Sequence, residues 1–189
     1  MSRTNRILAI VSSIVLVLNY IEIQIGTYFL KESQILHDLD NGLFRIIYYT
    51  SFGIAFFYFA RFFNSISERR IEKLIYLSII LALSSQFIKL FYVFAPSFLE
   101  VISSLIFLGS FIVMIIWGVK ILKLKNSIDK NIKLIKIFWI TLISVLTLSM
   151  IGTPILMFFH SIEYFNLLLL LYILPYTVLT VFFLKQEKK

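Results

Sequence analysis

Apolar residues fill the chain in long runs, and short clusters of charged and polar residues separate the runs. A segment of about 17–25 mostly apolar residues bridges a hydrocarbon core of about 30 Å as an α-helix. Six segments qualify, at about residues 7–30, 43–60, 71–94, 98–119, 134–159 and 164–184. The pattern predicts an all-α polytopic membrane protein, a six-transmembrane-helix bundle forming one integral membrane domain over residues 1–189. Ala95, Pro96 and Ser97 mark one tight break and the stretch from His160 to Glu163 another, so the third and fourth helices, and the fifth and sixth, are expected as antiparallel neighbours.

Basic Arg3 and Arg6 ahead of an apolar run resemble the start of a secretory signal. No small-residue cleavage site follows, and the apolar character continues through Asn19 and Glu22 to Leu30, so this segment reads as the first span. Asn64, Ser65 and Ile66 in the second loop echo Asn126, Ser127 and Ile128 in the fourth, which raises three serial helical hairpins as a candidate arrangement.

Charge sets the orientation. Fifteen of the eighteen Lys and Arg residues fall at the termini or in the second and fourth loops, leaving only Lys31, Arg45 and Lys89 on the other side. Positive loops stay cytoplasmic, so both termini are expected there. The net charge of +8 therefore points to anionic lipid headgroups, particularly at the lysine-rich residues 120–136, and not to nucleic acid.

Composition closes several chemistries. Hydrophobic residues make up 60% of the chain, which a water-soluble domain of 189 residues does not reach. With no cysteine there is no disulfide, thiolate metal site, cysteine-ligated cluster or cysteine nucleophile. No phosphate-cradling glycine loop, H-E-x-x-H or G-x-S-x-G occurs, so enzyme activity is the minority expectation and no cofactor is implied.

Ionisable residues at bilayer depth default to functional candidates. Glu22 stands about fifteen residues, roughly 22 Å, into the first helix. Ser12, Asn19, Glu22 and Gly26 share one stripe. On the third helix Ser78, Ala82, Ser85, Lys89 and Tyr92 form another, with Gln86 at its edge. Lys89 and Arg45 lie at a depth comparable to Glu22, so the three suit either a buried charge network or a polar cavity. The second histidine-bearing option is a metal site: His37 with Asp38 and Asp40, and His160 with Glu163, are a zinc-compatible donor set that could support an outward-facing hydrolase. Facing histidines inside helices, as bis-histidine haem requires, are not expected.

The run Phe56, Phe57, Tyr58, Phe59 with Phe62 and Phe63 reads as core or lipid contact, with lipid-facing packing and an interfacial belt as the simple account. Ser103, Ser110 and Gly118 form a small-residue stripe open to docking, and Pro154 and Pro175 are expected to kink the fifth and sixth helices. Three functions follow in order: small-solute or ion binding and transport, a non-catalytic accessory or assembly subunit with a membrane partner, and the metal-dependent hydrolase. Strong basic bias without cysteine fits a bacterial plasma membrane.

Overall fold

In lipid every backbone polar group must be satisfied within the segment, and long apolar runs therefore fold as helices. The computed structural model describes residues 3–29, 34–89, 96–125, 131–158 and 171–186, with the side chains at 19–45, 89, 96, 150 and 153–158 outside the description. Six helices make up the described chain: α1 (Arg3–Phe29), α2 (Gln34–Ser65), α3 (Arg69–Lys89), α4 (Pro96–Lys123), α5 (Ile132–Phe158) and α6 (Ile173–Lys185). Among the described residues four helices are long and apolar enough to cross a membrane, at Ile46–Ser65, Arg69–Ile88, Ser97–Lys123 and Ile132–Ser149.

Two boundaries differ from the sequence pattern. Helix α2 begins at Gln34, so the backbone of His37, Asp38 and Asp40 is helical where a loop was expected. Hydropathy reports contact with lipid, and a helix continues beyond the hydrocarbon wherever its own hydrogen bonds close. Helix α6 begins at Ile173 behind a turn at Leu171 and Tyr172, and the Leu174 amide donates to the Leu171 carbonyl at 3.1 Å. Pro175 accordingly sits in the first turn, where its missing N–H has no in-helix partner to lose, and not at a mid-helix kink. Helix α5 runs unbroken past Pro154.

The chain forms two compact units, one of residues 1–52 and 131–189, the other of residues 53–130. In the second, α2 ends in a motif with two bonds: the Glu68 amide donates to the Phe63 carbonyl at 2.8 Å and the Ser67 amide to the Asn64 carbonyl at 3.0 Å. Ser67 takes φ 66° to close it, a left-handed position that usually holds glycine. Ser67→Gly is expected to raise stability by about 0.5–1 kcal/mol, read as a higher melting temperature in detergent, because only the backbone strain changes at this exposed site. Asn64 and Ser65 are the last turn of α2, whereas α4 ends at Lys123 before Asn126 is reached, and residues 126–130 lie outside the described chain.

After this turn α3 runs back along α2, with Phe57 5.6 Å from Tyr76 between ring centroids and Gly53 in van der Waals reach of Leu83. Helix α4 then runs antiparallel to α3. Ser110 Oγ donates to the Ser78 carbonyl at 2.9 Å, and Ser103 Oγ to the Ser85 carbonyl at 3.0 Å. The two bonds are seven residues apart on each helix, the repeat of a shallow helix crossing. Ser103 and Ser110 are thus buried inside the hairpin and Gly118 is buried as well, so the three do not form an outward docking stripe. Phe59, Phe63, Trp117 and Ile121 fill the core of this unit, and Phe59 lies 5.3 Å from Phe63 and 6.1 Å from Trp117. Phe56, Phe59, Phe62 and Phe63 are buried, so of core and lipid contact most of this run is core; Phe57 alone among its large apolar side chains is exposed.

Candidate functional site

The first unit carries the polar contacts that link α1, α2 and α6. Arg6, half-buried near the start of α1, donates from Nε to the Phe183 carbonyl at 3.1 Å and from Nη2 to the Leu184 carbonyl, so one guanidinium closes the C-terminal end of α6. A cation there meets the negative end of the helix dipole and two carbonyls that have no in-helix donor. Seven residues on, Ser13 donates to its own helix at the Ile10 carbonyl at 2.8 Å and stands 3.0 Å from Thr180 Oγ1. Thr180 also reaches the Tyr176 carbonyl at 2.9 Å, and its single proton serves one of the two.

One turn before Thr180, the Tyr176 hydroxyl meets the Tyr48 hydroxyl of α2 at 3.0 Å. Tyr176 is 3% exposed, so this contact lies in apolar surroundings, where a polar pair costs least when its members satisfy each other. Tyr48 packs against Phe52 and edge-on against Tyr49. Tyr176, Thr180 and the terminal carbonyls therefore form one hydroxyl and carbonyl line along α6. It offers hydrogen bonds to a polar guest, not activation of a nucleophile.

The sequence candidates relate to this line unequally. Arg45 precedes Tyr48 by three residues in the continuous α2. Glu22 follows Leu18 by four residues and Val11 by eleven in α1, and those residues are 55% and 51% exposed. The opposite face of α1, with Ala9, Ser13 and Leu16, is the buried one. Ser12 of the predicted stripe is buried. Asn19 shares the α1 backbone with them, and its side chain, like those of Glu22, Arg45, His37 and Asp38, lies outside the description.

Gln86 is half-buried and donates from Nε2 to Ser85 Oγ at 3.4 Å. Lys89 closes α3, and Tyr92, His160 and Glu163 lie outside the described residues. Among the described residues no three His, Cys, Asp or Glu side chains group as metal ligands. Lys89 and Glu22 belong to different units. On the backbone, Lys89 lies four residues beyond Ser85 on α3 and Glu100 three before Ser103 on α4, about 6 Å and about 4.5 Å along the same direction. A stability cycle on Lys89→Met and Glu100→Gln is expected to show coupling of about 0.5–1 kcal/mol.

Arg6, Ser13, Thr180, Tyr48 and Tyr176 escaped the sequence reading because single hydroxyls in apolar helices bond their own backbone and signal nothing. The i, i+4 spacing of Tyr176 and Thr180 was the available hint. No family model, curated protein or solved structure matches the chain.

Proposed function

We propose that the chain is a six-span protein of a bacterial plasma membrane with both termini cytoplasmic, and that it binds or conducts a small solute or ion along the polar line of α1, α2 and α6. The observation that carries the reading is the Tyr48–Tyr176 hydroxyl contact at 3.0 Å, one turn from Arg45. Phenol and guanidinium N–H and O–H groups are donors, and residues of these types suit an anionic group such as a carboxylate. Orientation draws on the helix ends: described Lys and Arg residues gather at the starts of α1, α3 and α5 and at the ends of α2, α4 and α6. The detergent-solubilised protein is expected to melt higher with acetate, phosphate or sodium ions. Tyr176→Phe is expected to weaken the effective anion by about fivefold to tenfold, the loss of one hydrogen bond, and Arg45→Gln to abolish its effect. A melting temperature indifferent to all three ions removes the reading.

A second reading, assembly with a membrane partner, is favoured by the register of Glu22. Ile7, Val11, Ile14 and Leu18 form an exposed face on α1, Glu22 follows Leu18 by four residues, and a carboxylate at bilayer depth needs a neighbour. The chain has no cysteine, so Leu18→Cys gives a single thiol for oxidative cross-linking in native membranes, with buried Leu16→Cys as control. A cross-linked product from Leu18→Cys alone supports assembly, and no product from either counts against it.

A further inference from the structure

We propose that the basic end of the α3/α4 hairpin binds the phosphate of an anionic phospholipid headgroup. This rests on the membrane reading above and adds to it a ligand chemistry and the residues that hold it. The bonds from Ser103 to Ser85 and from Ser110 to Ser78 fix an antiparallel register in which the start of α3 lies beside the end of α4. Arg69, Arg70 and Lys73 therefore share one end of the hairpin with Lys120 and Lys123. Arg61 joins them, because only Ile66, Ser67 and Glu68 separate α2 from α3.

Arg69, Arg70, Lys73 and Lys123 are exposed, and Lys120 is half-exposed. The carboxylates described at this end are Glu68 and Glu72, and among the described residues no ion pair joins either of them to those five cations. Arg61 lies over the Phe57 ring at 5.9 Å. The helices themselves account for only half of the cluster. The end of α4 is the negative pole of its dipole and suits Lys120 and Lys123, whereas the start of α3 is a positive pole and disfavours Arg69, Arg70 and Lys73. Glu68 and Glu72 at that pole offset part of the repulsion, two carboxylates against six cations, and an external anion offsets the rest.

The neighbouring surface identifies which anion. Val119 and Leu122 are exposed apolar residues interleaved with Lys120 and Lys123, so the cluster sits where hydrocarbon gives way to headgroups. Two adjacent arginines pair with phosphate oxygens through paired N–H donors, and the lysines add point charge. A zwitterionic headgroup brings its own ammonium and cancels the attraction, so a headgroup of net negative charge is selected.

The test uses the full chain in vesicles of phosphatidylcholine alone or phosphatidylcholine with phosphatidylglycerol. Flotation with the vesicles reads the membrane assignment separately from the lipid preference. The wild type is expected to melt higher with phosphatidylglycerol, and the variant carrying Arg69→Gln, Arg70→Gln and Lys123→Gln to float normally yet lose most of that increment. Inorganic phosphate added to phosphatidylcholine vesicles is expected to give no increment. Equal melting in the two lipids, a triple variant that keeps the increment, or an equal shift from free phosphate overturns the proposal.

Discussion

Phe59→Ala is expected to destabilise the protein by about 3 kcal/mol, the largest effect of any single substitution considered. Phe59 is 0% exposed and touches both Phe63 and Trp117. In water such a truncation costs about 3–5 kcal/mol, part of it transfer free energy and part the cavity left behind. Lipid chains are as apolar as the ring, so in a membrane the transfer part shrinks and the lost packing dominates. The loss accordingly falls at the low end of that range. Reversible unfolding in mixed detergent and dodecyl sulfate measures it. Phe57→Ala, on the exposed side of the same helix, is the comparison and is expected to change stability by less than about 1 kcal/mol. Equal losses at the two positions would place both rings in the same environment and sink the distinction between core and surface along α2.

Ser110→Leu is expected to cost about 1–3 kcal/mol, while Ser110→Ala costs only about 0.6 kcal/mol. The two substitutions separate the size of the side chain from its hydroxyl. Ser110 is buried where α4 meets α3, and its hydroxyl donates to the Ser78 carbonyl at 2.9 Å. That carbonyl already accepts a bond within its own helix, so losing the extra donor is cheap. A leucine at the same place must force the helix axes apart, and the strain spreads to the Ser103 contact seven residues away. The same unfolding assay reads both. If alanine proves as damaging as leucine, the hairpin is held by hydrogen bonds and not by close approach.

The membrane class, the all-helical fold and the approximate places of the helices were legible in the sequence. Lipid leaves a long apolar segment no way to satisfy its backbone except as a helix, and so run length alone carries that information. The middle of the chain shows it best: α3, α4 and α5 start within two residues of the positions that hydropathy marks. Helix α2 shows the limit. Its first turns carry Asp38, Asp40 and Asn41, which hydropathy reads as loop although the backbone hydrogen bonds run straight through them.

Which face of each helix turns inward was decided by tertiary structure alone. In water, burial sorts polar from apolar residues and leaves a periodic trace in the sequence. In lipid both faces are apolar, and a serine that bonds the carbonyl three residues back, as Ser78 does with Ile75 and Ser85 with Ala82, is equally at home against lipid or against a helix. Ser103, Ser110 and the phenylalanines of α2 were therefore ambiguous until their partners were known. The hydroxyl line of α6 was hidden for the same reason. Tyr176, Thr180, Ser13 and Arg6 lie far apart in the chain, and only the packing of α1 against α6 brings them into one row.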